Sequence, residues 1–247
     1  MVSDLQVRNA DAKIYDEQYL KQNGYWHDWV EKKVILDTLD LKPTDIVLEA
    51  GCGTGRITLE LAKRCKFVYA MDYSKGSLEV LEQKLKDLNI HNVVPLTWDI
   101  RYPLDCLLEY EKVDKVTSVQ VIQHLPTVGR YEAIDNLYNY LKPNGVCVVL
   151  VYNALPFYFG KLIGKGLKRN GVFPNGISYH RFFDAELRVM FMSAGFKNIS
   201  VKGCVNFSAY EYLNSKLFYP LACLDTRLSN LNVSCITGTY LIAKGVK

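Results

Sequence analysis

The segment Ile46-Val47-Leu48-Glu49-Ala50-Gly51-Cys52-Gly53-Thr54-Gly55-Arg56 decides the fold, because it joins an apolar run to three closely spaced glycines. The apolar residues predict a buried strand over 46–49, and a helical pattern follows at 56–64. Glycine permits positive φ and lets a ligand approach the backbone, while the free N–H groups of a helix start can bind a carboxylate. The segment therefore predicts a strand, a ligand-binding turn and a helix.

The spacing of the glycines separates this turn from two phosphate-binding motifs. It reads G-x-G-x-G with Glu49 two residues before Gly51, whereas a dinucleotide-binding turn reads G-x-G-x-x-G. The Gly-Lys-Ser/Thr ending of a nucleoside-triphosphate loop does not follow. A pyrophosphate ligand is therefore disfavoured. The alternative of a tight turn without any ligand is disfavoured by three glycines standing between a strand and a helix.

Short apolar runs alternate with amphipathic patterns after this segment, which is typical of parallel strands joined by crossover helices. A sheet covered on both faces requires strands that are apolar throughout. Apolar runs predict further strands at 67–71, 93–97, 113–119 and 146–151. Helical patterns predict helices at 76–88, 128–141 and 184–194, the last capped by Asp184. A closing strand is predicted at 236–244, a partly helical insertion at 207–230, and two helices before the first strand, at 12–22 and 25–39.

The strand–turn–helix segment, with Asp72 ending the second predicted strand, resembles the first motifs of the class I S-adenosylmethionine-dependent methyltransferases. The resemblance implies an α/β fold with a doubly wound, mostly parallel seven-stranded sheet, helices on both faces and an antiparallel last strand. N-terminal helices and an insertion after strand 5 supplement this sheet. We expect one domain over 1–247, composed of a helical lid (1–44), a cofactor-binding core (45–151), a substrate cap (152–183) and the rest of the sheet with a second cap insertion (184–247).

The resemblance also implies which residues bind S-adenosylmethionine and its product S-adenosylhomocysteine. Asp72 stands where the family has an acid for the ribose hydroxyls, Asp99 where it has an acid for the adenine amino group, and Glu49 faces the amino end of the cofactor. Taken alone, Asp72 would be interpreted as a strand-end cap and Asp99 as a loop acid. Their assignment to the cofactor site therefore depends on their register with the glycine-rich turn. The expected cofactor-binding residues are Tyr19, Glu49, Gly51, Cys52, Gly53, Thr54, Gly55, Asp72, Tyr73, Asp99, Ile100 and Gln120.

Two histidines are candidates for taking a proton from the acceptor. A sulfonium methyl is already activated, so a base is needed only where the acceptor is a hydroxyl or an ammonium. His124 follows the fourth strand, where substrate is expected, and His180 lies in the insertion. Each histidine also has a structural interpretation. His124 would be a hydrogen-bonded residue at a helix start, and the segment of His180 would pack against the following helix. Arg181 could bind an acidic acceptor.

The acceptor is expected to be a small molecule, lipophilic or aromatic, methylated on oxygen or nitrogen. The fourth strand lacks the Asn/Asp-Pro-Pro-Tyr/Phe ending of family members that methylate planar amide or nucleobase nitrogens. An apolar and basic segment at 155–169 predicts a pocket wall, with a solvated face or an anionic membrane surface as alternatives. Methylation of a peptide or protein amine stays open, as does a catalytically silent partner subunit, although the intact cofactor residues favour an enzyme.

Composition disfavours several other classes. The 247 residues are 49% hydrophobic and 23% charged, which is typical of a globular domain. The seven cysteines form no C-x-x-C pair and the four histidines are scattered, so we expect neither a metal nor a disulfide framework. The net charge of +4 arises within 151–183, which is too narrow a basic field for nucleic acid. Without a signal-peptide pattern or a membrane-length apolar run, we expect a cytoplasmic protein.

Overall fold

A computed structural model of the chain describes residues 4–105, 112–156, 169–206, 219–231 and 234–247. Seven of the strands form one sheet, and two short strands form a separate hairpin. In chain order the strands are β1 (Ile46–Ala50), β2 (Phe67–Asp72), β3 (Val93–Thr97), β4 (Val113–Val119), β5 (Leu141–Tyr152), β6 (Asn170–Val172), β7 (Ser178–His180), β8 (Lys197–Cys204) and β9 (Tyr240–Val246).

The sheet has the order β3-β2-β1-β4-β5-β9-β8. Strands β1 to β5 pair in parallel, whereas β9 lies between β5 and β8 and is antiparallel to both. The chain builds outward from β1 through β2 and β3 on one side and through β4 and β5 on the other, so the strand order reverses between β1 and β4. Ligand clefts open at the carboxyl ends of strands beside such a reversal. The predicted doubly wound, seven-stranded sheet with an antiparallel last strand is confirmed.

Helices cover both faces of the sheet. The described helices are α1 (Asp4–Asp11), α2 (Tyr15–Asn23), α3 (Tyr25–Leu39), α4 (Thr58–Ala62), α5 (Lys75–Asp87), α6 (Thr127–Tyr140), α7 (Asp184–Ser193), α8 (Tyr219–Leu228) and α9 (Ser234–Thr237). On β1, Val47 belongs to a buried cluster with Leu81 of α5, while Leu48 belongs to the opposite cluster with Leu137 of α6. Because neighbouring strand residues point to opposite faces, an apolar run buries both of them.

Two predicted helices differ from the structure at their amino ends. Helix α4 begins at Thr58, later than predicted, because the glycine-rich turn continues through Ile57. Asp184 does not cap α7, so that prediction is wrong. The cap residue is Phe183, whose N–H donates to the Glu186 carboxylate at 2.8 Å. Asp184 is instead the first helical residue, where a negative charge interacts favourably with the helix dipole.

The chain ends and the cap segment contain the other differences. The N-terminal helix predicted at 12–22 begins at Tyr15, and helix α1, which buries none of its residues, precedes it. The closing strand begins at Tyr240, because residues 234–237 form α9. Strand β5 begins at Leu141, five residues before the predicted start at 146. The hairpin β6–β7 lies in the expected substrate cap (152–183), where no strand was predicted.

Two predicted features fall partly outside the described residues. These are residues 157–168 of the apolar and basic segment and residues 207–218 of the second insertion, the remainder of which contains α8. Within the described ranges, no helix is both long and apolar enough to cross a membrane. The same ranges hold no group of three or more His, Cys, Asp or Glu side chains that could bind a metal.

Candidate active site

A cavity of about 920 Å³ opens at the carboxyl ends of β1, β2 and β4, beside the reversal of strand order. Helices α1 and α2 contribute to its lining, and so does the loop between β6 and β7. All expected cofactor-binding residues except Gly55 line it, namely Tyr19, Glu49, Gly51, Cys52, Gly53, Thr54, Asp72, Tyr73, Asp99, Ile100 and Gln120. The fold thus brings together residues that are up to a hundred positions apart in the chain.

The glycine-rich turn is fixed to the end of β2. The N–H groups of Gly51 and Cys52 both donate to the Met71 carbonyl oxygen, at 2.7 and 2.9 Å. Gly51 and Gly53 have positive φ angles of 84° and 54°. A Cβ atom at Gly51 would lie 2.1 Å from the Val121 side chain, whereas none of the described atoms lies within 4 Å of one at Gly53. The turn is therefore tightly packed at Gly51 and open at Gly53.

Gly55 packs against a helix instead of facing the cavity. Its φ angle is 89°, and a Cβ atom there would lie 2.4 Å from Leu81 Cδ1 on α5. The expected contact between Gly55 and the cofactor receives no support from this position, because Gly55 does not line the cavity. Its lack of a side chain lets the turn approach α5 closely.

Asp72 ends β2 with a carboxylate that the turn and the next helix both bind. Its Oδ2 accepts the Gly53 N–H at 2.8 Å and its Oδ1 accepts the Ser74 N–H at 2.8 Å. Burial raises the pKa of Asp72, although these N–H groups and the charge of Arg8 oppose the rise. Each carboxylate oxygen has a second lone pair, so Asp72 can still accept hydrogen bonds from a neutral diol.

Glu49 is a buried carboxyl at the end of β1. Its side chain is 2% exposed, and its Oε2 accepts the Thr58 hydroxyl at 2.6 Å. Burial raises the pKa of Glu49 to about 8, because the charged form loses its hydration. A cation placed beside Glu49 would restore the charged form, which is what an ammonium group at the amino end of the cofactor supplies.

Asp99 is bound by its neighbour Arg101. The Arg101 guanidinium donates to both carboxylate oxygens, at 3.0 Å from Nε and 2.5 Å from Nη2, and its backbone N–H donates to Oδ1 at 3.0 Å. Burial alone would raise the pKa of Asp99, but the bonds from Arg101 lower it. The expected hydrogen bond to an adenine amino group therefore shares this carboxylate with Arg101. Ile100 is buried beside it and offers an apolar surface to the cavity.

Polar contacts tie the N-terminal helices to the cofactor turn and to α5. Asn9 of α1 accepts the Gly76 N–H at 2.9 Å. Asp16 of α2 accepts the Thr54 hydroxyl at 2.5 Å and pairs with Lys84 of α5. Lys84 also donates to the Thr54 carbonyl oxygen at 2.8 Å. These contacts hold α1 and α2 against the glycine-rich turn and α5, and the lid role of these helices stays a prediction.

Glu31 of α3 is a fully buried carboxylate that organises one wall of the cavity. It accepts hydrogen bonds from the Tyr19 hydroxyl, from Arg56 at 2.7 Å and from the Gln120 amide at 3.1 Å. The Arg56 guanidinium also lies 4.2 Å from the centre of the Tyr19 ring. Burial would raise the pKa of Glu31, but the charges of Arg56 and His27 and the hydrogen bonds from Tyr19 and Arg56 together outweigh it, and the pKa is lowered. Sequence analysis named Tyr19 and Gln120 but missed the carboxylate that joins them.

His124 lines the cavity in an orientation suited to a base. Its Nδ1 lies 2.7 Å from the Ser178 carbonyl oxygen, which can only accept, so Nδ1 carries the proton in this contact. In the neutral ring Nε2 is then unprotonated, and it accepts a long hydrogen bond from the Gln123 side-chain amide at 3.4 Å. Burial lowers the pKa of His124 to about 4, and the charge of Arg8 adds to the effect. His124 is therefore neutral over the physiological range.

His180 and Arg181 do not line the cavity. His180 Nδ1 donates to Asn170 Oδ1 at 2.5 Å across the β6–β7 hairpin, and its Nε2 lies 3.6 Å from the Glu186 carboxylate. The Arg181 guanidinium lies 4.6 Å from the centre of the Tyr179 ring. These contacts support the structural interpretation of His180 and give no support to its catalytic assignment.

Sequence analysis missed an aromatic wall next to His124, formed by Tyr152, Phe173 and Tyr240. Tyr152 of β5 and Tyr240 of β9 are register partners with stacked rings, 5.7 Å between centroids, and the Phe173 ring lies 6.3 Å from that of Tyr152. The three residues come from separate elements, so no local motif marks them. The other missed lining residues include Leu5, Arg8, Tyr15, Trp98 and Ile177.

The strand order, the glycine-rich turn and the acid ending β2 define a Rossmann-like methyltransferase fold. A family model described as a methyltransferase domain matches residues 47–145. The CcbJ methyltransferase structure from Streptomyces caelestis shares the fold, with a TM-score of 0.71 at 15% identity over 98% of each chain.

Two curated relatives carry the name probable cobalt-precorrin-6B C(15)-methyltransferase (decarboxylating). The one from Methanococcus maripaludis strain C6 is 38% identical over 147 residues, covering 58% of this chain and 80% of the relative. The one from Methanocaldococcus jannaschii is 44% identical over 80 residues, 32% of this chain and 44% of the relative, so the match spans less than half of that protein. The chain belongs to the class I S-adenosylmethionine-dependent methyltransferases, whose cofactor is S-adenosylmethionine.

Proposed function

We propose that the chain transfers the methyl group of S-adenosylmethionine to an oxygen or nitrogen atom of a small, lipophilic or aromatic acceptor. The observation that carries this proposal is the position of His124, which lines the same cavity as the glycine-rich turn and stands beside the aromatic wall. A base and an apolar surface thus meet next to the expected cofactor position.

The cofactor-binding part of the proposal rests on three acids at the strand ends. Asp72 is placed to accept the ribose hydroxyls, and the open side of Gly53 leaves room beside it. Glu49 is placed to bind the ammonium group, and Asp99 with Ile100 to border the adenine. Bound S-adenosylmethionine supplies a methyl group on a positively charged sulfur, which leaves positioning as the main task of the protein.

The residues around the acceptor then account for proton removal. A lone pair of the acceptor oxygen or nitrogen forms the new bond to the methyl carbon, while the carbon–sulfur electron pair stays on sulfur and yields S-adenosylhomocysteine. The acceptor proton passes to Nε2 of His124, which is unprotonated because Nδ1 donates to Ser178. Tyr152, Phe173 and Tyr240 exclude water from this end of the cavity.

A methyl-transfer screen tests this proposal. The protein is incubated with S-adenosylmethionine carrying a ¹³C methyl group and with phenols, aryl amines and aliphatic amines, and the chemical shift of the product methyl identifies the atom methylated. We expect O- or N-methyl products whose formation falls at least a hundredfold in His124→Asn, which keeps a donor near the Nδ1 position and removes Nε2. A protein that binds S-adenosylhomocysteine and methylates none of these compounds would contradict the acceptor assignment.

Carbon methylation is the second candidate, and the relatives named C(15)-methyltransferases favour it. The same screen separates the two, because a C-methyl product has a different carbon shift. An arm containing cobalt-precorrin-6B tests the acceptor in the relatives' name. Turnover in that arm alone would replace the oxygen or nitrogen acceptor by a carbon acceptor.

The remaining alternatives are a peptide or protein amine and a catalytically silent partner subunit. Residues of α1, α2 and the β6–β7 loop line the cavity. This lining favours a small acceptor over a folded protein. A silent subunit would bind S-adenosylhomocysteine without turnover on any acceptor until a second protein is added, so a screen repeated with cell extract identifies it.

A further inference from the structure

Arg8 of α1 differs from the other arginines that line the cavity. Arg56 is held by Glu31 at 2.7 Å, and Arg101 donates to both oxygens of Asp99. Arg8 Nε is buried and has no hydrogen-bond partner among the residues that the structure describes. A guanidinium nitrogen that is buried without a bonded partner, on a side chain that is 26% exposed, is suited to an anion that enters the cavity.

The nearest carboxylate does not satisfy Arg8. Asp4, one helical turn earlier, places its Oδ1 3.6 Å from Arg8 Nε, which is too long for a hydrogen bond. Its other oxygen, Oδ2, accepts the Tyr73 hydroxyl at 2.8 Å, which holds the carboxylate toward Tyr73. Asp4 Oδ1 is itself buried without a hydrogen-bond partner in the described part of the chain. Asp4 therefore forms an ion pair with Arg8 but no hydrogen bond to its Nε.

The position of Arg8 connects the expected cofactor site with the acceptor end. Its charge opposes the burial-driven rise in the pKa of Asp72, and after burial it is the second cause lowering the pKa of His124. The charge of Arg8 also acts to lower the pKa of Tyr152 in the aromatic wall, against the rise that burial causes. Arg8, Asp72 and His124 line the same cavity, so a group bound to Arg8 would share that cavity with both the strand-end acid and the candidate base.

We propose that the methyl acceptor carries an acidic group, of the carboxylate type, which pairs with Arg8 while its aromatic or aliphatic body lies against Tyr152 and Phe173. This inference rests on the proposed function and specifies its substrate class. A carboxylate offers a guanidinium two parallel hydrogen bonds, which orients the acceptor as well as binding it. Arg181, which sequence analysis suggested for an acidic acceptor, lies outside the cavity lining and has no part in it.

Calorimetric titration of the full chain with matched pairs of small molecules tests the inference. Wild type is first titrated with S-adenosylhomocysteine. The saturated complex is then titrated with benzoate against benzamide and with 4-hydroxyphenylacetate against its amide. We expect at least one acid to bind ten times more tightly than its amide. Arg8→Gln should reduce that preference to less than threefold, and Lys13→Gln, an exposed cation that does not line the cavity, should preserve it.

A second variant keeps the test informative. Asp4→Asn removes the competing carboxylate, so we expect the preference for acids to increase severalfold. Equal binding of acids and amides, or a preference that survives Arg8→Gln, would overturn the inference. So would a tenfold loss of S-adenosylhomocysteine affinity in Arg8→Gln, because Arg8 would then bind the cofactor's own carboxylate. Failure of wild type to bind S-adenosylhomocysteine in the first titration would count against the proposed function itself.

Discussion

The backbone N–H of Gly53 donates a hydrogen bond of 2.8 Å to Oδ2 of Asp72, which joins the glycine-rich turn to the acid ending β2. The two sequence features that indicated a cofactor site are therefore one structural unit. Because Asp72 also accepts the Ser74 N–H, the same carboxylate fixes the start of α5. A change in the turn should consequently alter the position of Asp72.

Alanine substitution separates the packing role of the turn from its ligand-facing role. Gly51→Ala places a Cβ 2.1 Å from the Val121 side chain at positive φ, and we expect it to lower the free energy of unfolding by roughly 2–4 kcal/mol. Gly53→Ala meets none of the described atoms and should cost about 1 kcal/mol for its φ alone. Urea denaturation measures both. Equal losses in the two variants would be inconsistent with this packing.

The buried Glu49 predicts that cofactor binding depends on pH. Burial raises the pKa of Glu49 to about 8, so this carboxyl group is mostly protonated at pH 6 in the cofactor-free protein. The ammonium group of the cofactor binds to the ionised carboxylate. We expect the affinity for S-adenosylhomocysteine to increase from pH 6 to pH 8. In Glu49→Gln the affinity should be weaker and should lose this dependence. An affinity that decreases over the range, or the same dependence in the variant, would contradict the role of Glu49.

Stability of the cofactor-free protein should change with pH in the opposite direction. The pKa of Glu49 is higher in the folded chain than its ordinary value of 4.5. The contribution of Glu49 to the free energy of unfolding is therefore fully present below about pH 4.5 and is lost as pH rises through about 8. Wild type should therefore lose more unfolding free energy than Glu49→Gln between pH 5 and pH 8. Urea titrations at the two pH values measure the difference.

The low pKa of His124 predicts an unusual activity profile. Burial and the charge of Arg8 lower the pKa to about 4, so the base form dominates at every pH above it. We expect kcat/KM for a hydroxyl or amine acceptor to show no histidine inflection near pH 6.5, and His124→Asn to lower kcat by roughly 10²–10⁴. An inflection near pH 6.5 that disappears in the variant would mean that His124 titrates at its ordinary pKa.

The Glu31 cluster should be the most sensitive ion pair in the described chain. Glu31→Ala leaves the buried Arg56 with Asp28 as its one described carboxylate partner, and we expect a loss of roughly 3–5 kcal/mol in unfolding free energy. The matched control is Lys33→Ala on the same helix, which removes a largely exposed pair with Asp37 and should cost under about 1 kcal/mol. A loss below 1 kcal/mol in Glu31→Ala would refute this assignment.

The fold was predictable where local signals agree with the sheet. The apolar run before Gly51 and the helical pattern at 76–88 predict β1 and α5 within one or two residues, and in the structure Ser74 caps α5 by accepting the Ser77 N–H. Helix α1 was missed because it is eight residues long and buries none of them, so Leu5, Val7 and Ala10 are too few apolar residues to establish a helical period. The hairpin β6–β7 has strands of three residues, which are too short to show a period of two.

The site residues also divide into those that a local sequence signal marks and those that only the fold brings to the cavity. Glu49 was singled out by its place before the turn and Asp72 by its place at the end of the second strand, and both line the cavity. Arg8, Tyr152 and Tyr240 carry no motif, and the strand order β5-β9 together with the path of α1 places them at the cavity. From the sequence, His124 was the first base candidate and His180 the second. Their hydrogen-bond partners separate them, because one lines the cavity and the other bridges a hairpin to α7.

Calorimetric titration with S-adenosylmethionine and, separately, with NAD shows whether the glycine-rich turn and Asp72 form a cofactor site. We predict saturable binding of S-adenosylmethionine alone, at least tenfold weaker in Asp72→Ala and unchanged in Asp87→Ala, an exposed acid on α5. Folded wild-type protein that fails to bind S-adenosylmethionine, or that binds it equally well after Asp72→Ala, would contradict the account.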